Sequence, residues 1–449
     1  VNRLIAALSA LPFVCAGGSA KADIPQIKHV VIVFQENRTP DNLFGAFASK
    51  LPGADLANAG FNSKGQRIPL VPVPLARGLD LDHSHAAFVE MYDHGRMDGA
   101  DLIVCQAIRG QSCPPNPQFA YVNASDVTPY LEIAQHYGFA NRMFQTNQGP
   151  SFPAHQFILS GTSQISATSP YFAMDNMVDP HFGAGCSVPP VQRVRVIGPG
   201  GNAIGEVFPC FEHETLPDLL EGHSPSINWR YYSPGETSIW TAPDAIHHLC
   251  KPKNLACTGS DWTTGSIVLK PVQVLTDIAS GQLAAVTWII PNGRYSDHSE
   301  ENDGSGPSWV AAIINGIGKS AYWENTVILI SWDDWGGWYD HVAPPAPEGR
   351  PFGYYELGFR VPLLVVSPYT PAGYISQSQH DFGSILHFTE QVFGLGYIPP
   401  GNFADSRADD LADFFDFSAK PRPFEEIDAP LPPSFFLNDT RPPLPPDDD

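Results

Sequence analysis

Two short runs of oxygen donors follow apolar strands in this chain: Glu36-Asn37 after HVVIVF at 29–34, and Asp333-Asp334 after the apolar run at 327–331. Carboxylate and amide oxygens suit a hard divalent cation. Either pair alone is more often a helix cap or a turn. Two pairs, each directly after a buried strand, point to a shared metal, because carboxylates gathered at one sheet edge are costly unless a cation neutralises them. Ser151 lies in GPSFPAHQFILSGTS (149–163), between two prolines and just before an apolar run. A hydroxyl fixed in such a turn can enter a metal's coordination shell, lose its proton and act as a nucleophile. Taken alone, a serine beside prolines is more often a loop residue or helix cap.

Histidines supply the remaining chemistry. DLDHSH holds Asp82, His83 and His85, and YSDHSE holds Asp297 and His298. An Asp-His step can present an imidazole to a phosphoryl oxygen or to a leaving group, although one such step by itself is more often a surface or structural histidine. WDDWGGWYDHVAPP (332–345) gathers Asp333, Asp334, Asp340 and His341 behind one strand, with Gly336 and Gly337 letting the backbone turn tightly after the acids. An aromatic-rich turn has no need of three acids and a histidine, so this is the most specific local signal in the chain.

Residues so far apart in sequence need a scaffold that collects them. Short apolar runs bounded by turn residues predict strands at 29–34, 285–290, 327–331 and 362–367. Helical periodicity fits 129–137, 271–280, 309–319 and 384–393, interleaved with those strands. Strands apolar on both faces imply a mostly parallel sheet covered by helices, an α/β fold. Ligands in such sheets collect beyond the carboxyl ends of the strands. That rule alone selects Glu36, Asn37, Asp297, His298, Asp333 and Asp334.

The 449 residues, 43% of them hydrophobic, are enough for one large α/β domain or two ordinary ones. Residues 1–22 read as an export signal: Arg3, then an apolar stretch, then Ala20-Lys21-Ala22 as a small-x-small cleavage site. The competing reading is a lipid anchor at Cys15, disfavoured by the bulk of Val14 before it. Residues 23–421 form the expected catalytic domain, with excursions at 182–207 and 241–264. Residues 422–449, rich in proline and acid, cannot build a core and read as an extended arm or disordered tail. Beyond Cys15 there are six cysteines, an even number that favours disulfides in an exported chain. Their spacing suggests Cys105 with Cys113, Cys186 with Cys210 and Cys250 with Cys257, while leaving other connectivities open. A formal charge of −22 repels nucleic acid and anionic membranes at long range, so a phosphate substrate must be caught by local charges and a metal. No stable membrane insertion is expected, since no segment after the signal is uniformly apolar for the roughly 20 residues a span requires.

These motifs resemble those of the phospholipase C and acid phosphatase group of bacterial phosphoesterases, distant relatives of alkaline phosphatase. The resemblance rests on QENRTPDNLFG (35–45), DHSH (82–85), GRMDG (95–99), QGPSFPAH (148–155), WRYY (229–232), SDHS (296–299) and WDDWGGWYDHV (332–342). It implies an alkaline-phosphatase-like three-layer α/β/α sandwich. It also implies one divalent metal ion held by Glu36, Asn37, Asp333 and Asp334, with Ser151 as both ligand and nucleophile. Asn37, His83 and His298 match positions that contact the phosphate, and Asp297 and His341 match further catalytic-motif positions. Ser151 resembles the acid phosphatase branch, whereas the motif set as a whole is similar to the phospholipase C branch. The expectation is therefore a secreted or periplasmic metal-dependent phosphoric ester hydrolase, phospholipase C-like and working through a phosphoserine. Its substrate would be a phospholipid head group or a small phosphate ester. The alternatives are an acid phosphatase acting on monoesters and, in another class, a secreted binding protein without turnover.

Overall fold

The computed structural model describes residues 24–107, 112–346 and 355–444. The export-signal reading at 1–22 lies outside them. An eight-stranded sheet runs through the centre: β1 (His29–Gln35), β2 (Gly138–Ala140), β3 (Trp229–Tyr232), β4 (Ile267–Val268), β5 (Val286–Ile289), β6 (Thr326–Trp332), β7 (Leu363–Val366) and β8 (Tyr374–Ser376). Their spatial order is β4-β3-β5-β1-β6-β7-β2-β8. The run from β4 to β6 is parallel, as is β2 with β8. β7 is antiparallel to both its neighbours, β6 and β2. It follows β6 in sequence and lies beside it in space, a return that needs no crossover and therefore no intervening parallel unit. The 362–367 run is thus the reversed strand of a mostly parallel sheet.

The central strands explain why the sheet is covered on both sides. From Val30 to Gln35 every residue of β1 is buried, and β6 is buried along its whole length. Strands with no solvent-facing residue must have a layer on each face. Helices Thr128–His136 and Gln273–Ala279 each pack against Gly306–Gly318, and helices Ser151–Ser160 and Phe382–Phe393 form a second packed pair. Phe34 of β1 points into that second pair, with its ring 5.0 Å from those of His155 and Phe382. One large apolar cluster joins the sheet to both helix groups.

Two of the three disulfides involve the excursions: Cys186 lies in the first and Cys250–Cys257 in the second. Phe172–Met177, Val194–Ile197 and Ala203–Val207 form a small antiparallel sheet. The bridges are Cys105–Cys113, Cys186–Cys210 and Cys250–Cys257, the three local pairs that the spacing suggests. From Arg422 to Leu444 the chain lies along the body: Ile427 and Phe436 are buried in the main core, and Pro433–Leu437 forms a short helix.

Candidate active site

Strand register determines which side chains meet. β1 and β6 are paired from His29 with Thr326 to Gln35 with Trp332, so both strands end at one level. The backbone N–H of Asp333 donates to the carbonyl of Gln35 at 2.9 Å, and that of Asn37 donates to Asp333 Oδ1 at 3.0 Å. Glu36-Asn37 and Asp333-Asp334 therefore leave the sheet side by side. The glycines behind the acids are required by space as well as by conformation. Gly336 and Gly337 have φ of +59° and +70°. A Cβ on Gly336 would lie 2.7 Å from Asn37 Cβ, and one on Gly337 would lie 2.4 Å from Leu81 Cβ.

Ser151 is the first residue of the Ser151–Ser160 helix, whose positive end faces the acids. Its Oγ is 3.3 Å from Asp334 Oδ2 and 3.5 Å from Glu36 Oε2. Asn176 Oδ1 accepts the Phe152 N–H at 2.9 Å and secures the helix start. One turn further on, His155 Nε2 stands 3.1 Å from Glu36 Oε1 and 4.0 Å from Asp333 Oδ2. Complete burial pushes the His155 imidazole down to about 4, so it is neutral and donates to Glu36. His155 is not among the candidates that the motifs select. The available signal was its spacing, since residues four apart on a helix share a face and Ser151 was already a candidate.

The donor set fits a hard cation. Glu36, Asn37, Ser151, Asp333 and Asp334 are all buried. Asn37 Oδ1 stands 3.0 Å from Asp333 Oδ1 and 3.1 Å from Glu36 Oε2. Turning the amide over would put its nitrogen against the carboxylates. There it would donate to both, so a cation between the carboxylates is what would favour the oxygen-inward orientation. Asp333 Oδ2 is buried with no hydrogen-bond donor. Glu36, His155 and Asp333 each offer a ligand atom within 4.8 Å of the others.

Two histidines complete the group. His83 Nδ1 donates to the Leu81 carbonyl at 2.8 Å, which leaves Nε2 facing the Asn37 amide at 3.0 Å. The His298 ring is 5.9 Å from that of His83. Glu300 N–H approaches His298 Nδ1 at 3.4 Å. Arg38, buried at the end of β1, donates twice to the Asp297 carbonyl, at 2.8 and 2.6 Å, and ties the His298 loop to the strand end.

Two of the sequence-selected residues sit elsewhere. The Asp297 carboxyl turns into the interior, where Tyr130 Oη donates at 2.7 Å and Trp332 Nε1 at 3.0 Å. Burial pushes it up to about 6. His341 is held by Asp41 at 2.7 Å and Asp55 at 3.0 Å, beside a buried Asp340–Arg360 ion pair at 2.8 Å. Those contacts consume both ring nitrogens, so His341 clamps the chain after β6 to the chain after β1 and does not join Ser151. A cleft of about 340 Å³ opens beside the site, lined by Asp82 and Pro150, the immediate neighbours of His83 and Ser151, and by Asp175, Val104, Val178 and Arg195.

The chain is similar to several phospholipases C. It is 28% identical to phospholipase C B of Mycobacterium tuberculosis over 90% of this chain and 81% of that one. It is 23% identical to the hemolytic phospholipase C of Pseudomonas aeruginosa over 88% of this chain, and spans 56% of that relative's length. It is also 23% identical to non-specific phospholipase C1 of Arabidopsis thaliana, over 82% and 67% of the two chains. Among solved structures, a protein in the alkaline phosphatase superfamily from Vibrio parahaemolyticus aligns with a TM-score of 0.37 and 11% identity, over 88% of this chain and 71% of that one. The phosphoesterase family model matches residues 27–396, which include both strand-end acid pairs, Ser151 and both site histidines, and the chain belongs to that family.

Proposed function

We propose that this chain is a metal-dependent phosphoric ester hydrolase of the phospholipase C type, with Ser151 as its nucleophile. The observation that carries the reading is Ser151 Oγ, 3.3 Å from Asp334 and 3.5 Å from Glu36, at a helix start and beside Asp333, whose buried Oδ2 has no donor. One divalent cation held by Glu36, Asn37, Ser151, Asp333 and Asp334 would neutralise the carboxylates and lower the pKa of the hydroxyl. Ser151 Oγ forms the new bond to phosphorus while its proton passes toward Asp334 Oδ2. The Asn37 amide N–H, and His83 once a second proton on Nε2 makes it an imidazolium, hold equatorial phosphoryl oxygens. His298, entering as the imidazolium, gives its Nε2 proton to the departing alcohol oxygen as the P–O bond breaks and is left a neutral imidazole, which takes a proton back from the attacking water in the second half of the reaction. Water then hydrolyses the phosphoserine and regenerates Ser151. Asp297 and His341 act on this chemistry only through the segments they hold.

Three disulfides fit an oxidising compartment, outside the cytoplasm. No helix among the described residues is long and apolar enough to cross a membrane. The test is a paired assay of a phosphate monoester and a phosphocholine diester, after chelation and with divalent metals added back. Metal-restored turnover of the diester above the monoester is the expected result. The reverse preference would move the chain to the acid phosphatase type. No turnover of either ester with any metal would end the reading.

A further inference from the structure

The loop that carries His298 is held from two sides. On the inside, Arg38 bonds the Asp297 carbonyl, and Asn302 Nδ2 bonds the Leu75 carbonyl at 3.1 Å. On the outside, the loop meets the arm that follows residue 432. Tyr295 Oη donates to Asp439 Oδ2 at 2.7 Å. Arg441 bridges Asp439 at 2.7 Å and Asp303 at 2.9 Å, and Arg294 Nε donates to the Pro442 carbonyl at 2.9 Å. Asp303 N–H in turn bonds the Arg294 carbonyl at 3.2 Å, which closes the base of the loop. The arm thus grips the segment on both sides of His298, at 294–295 and at 303. Its anchor is Phe436, which is buried with its ring 5.1 Å from Tyr295 and 5.3 Å from Trp309.

Such a grip exceeds what attaching a tail requires. Phe436 already supplies apolar burial, whereas Asp439 and Arg441 add directional bonds aimed at both ends of one loop. The Asp439 side chain is 5% exposed and its bond from Tyr295 is partly buried, whereas the Arg441 side chain that meets it stays open to solvent. The Arg441 guanidinium and the Tyr295 hydroxyl together hold the Asp439 carboxyl well below the usual carboxylate range.

We infer that residues 433–444 strap the His298 loop in place, and that Asp439 and Arg441 are positioning residues for the proton transfer from His298 to the leaving alcohol. The inference rests on the proposed role of His298 as general acid. A misplaced acid harms only esters that need one: a nitrophenolate departs without a proton, whereas an alkoxide does not. The comparison is kcat/KM for a nitrophenyl and an alkyl phosphate ester of matched charge, because this ratio reports events up to departure of the alcohol.

The proteins compared are wild type, His298→Ala, Arg441→Ala, Arg441→Lys and Tyr295→Phe, each metal-loaded. Arg441→Ala should lower kcat/KM for the alkyl ester by roughly tenfold with the nitrophenyl ester little changed. Arg441→Lys should recover part of that loss. Tyr295→Phe deletes only the hydroxyl on Asp439, and carries the test if Arg441→Ala does not fold. Selective loss in His298→Ala with uniform or no loss in Arg441→Ala and Tyr295→Phe would overturn the strap and leave the proposed mechanism intact. Equal loss on both esters in His298→Ala would remove the general acid itself, and the strap's role with it.

Discussion

Asn37 and Asp333, separated by most of the chain, are joined where two strands end: the Asn37 N–H donates to Asp333 Oδ1 at 3.0 Å, and Asn37 Oδ1 lies 3.0 Å from the same oxygen. One contact is a bond and the other places two acceptors together. Asn37 holds this position with φ of +54°, a left-handed conformation that asparagine tolerates better than most residues. The pair shows how the strand ends are locked into a geometry whose charge calls for a cation.

The first prediction concerns the nucleophile. Ser151→Ala should reduce turnover of a chromogenic phosphate ester by on the order of a thousandfold or more, with the thermal midpoint nearly unchanged. A rate close to wild type would remove Ser151 from the mechanism.

The acid cluster predicts opposite effects with and without metal. Asp333→Asn removes one of the converging charges, so the metal-free protein should melt at a higher temperature than metal-free wild type. The same variant should lose the stabilisation that added metal gives wild type, together with activity. Calorimetry before and after chelation checks both. An Asp333→Asn protein that keeps stoichiometric metal would separate this residue from the site.

His155 orients Glu36 from one turn above Ser151, at 3.1 Å. Its replacement by phenylalanine keeps the ring contact with Phe34 but deletes the hydrogen bond. Metal affinity should fall by roughly 10- to 100-fold, as for loss of other groups that orient a ligand. Titration with a competing chelator measures this, and unchanged affinity would make His155 a packing residue only.

A pH dependence of stability follows from Glu390 and Asp405, which are buried together away from the site. Burial and the neighbouring Asp405 push the Glu390 carboxyl from 4.5 up to about 10. Between those values the folded protein keeps a proton that the unfolded chain has released. Stability from this group is therefore fully present below 4.5 and is lost as pH rises toward about 10. Glu390→Gln, which mimics the neutral acid, should flatten the fall in urea midpoint across that window. An unaltered slope would assign the effect to other groups.

Much of the scaffold was legible because it is written locally. The apolar runs of β1, β5 and β6 carry their strand character in β-branched residues, and the helices carry theirs in period, with bounds off by at most three residues, as at 309 against Gly306. The acids were legible because they follow strands directly, and Gly336 and Gly337 because few other residues permit such a turn. Cysteine spacing likewise anticipated three short loops.

What tertiary structure alone decided depends on contacts between distant segments. Nothing near His341 announces Asp55, and nothing near Asp297 announces Tyr130, yet those partners engage both side chains. The direction of β7 depends on how the chain returns after β6, which composition does not encode. The segment after residue 422 has too little apolar character to fold alone, and it gains order because the rest of the chain presents Trp309 and Tyr295 to Phe436. Residue types determine which chemistry is available; strand register and long-range packing decide which of those residues share one atom's reach.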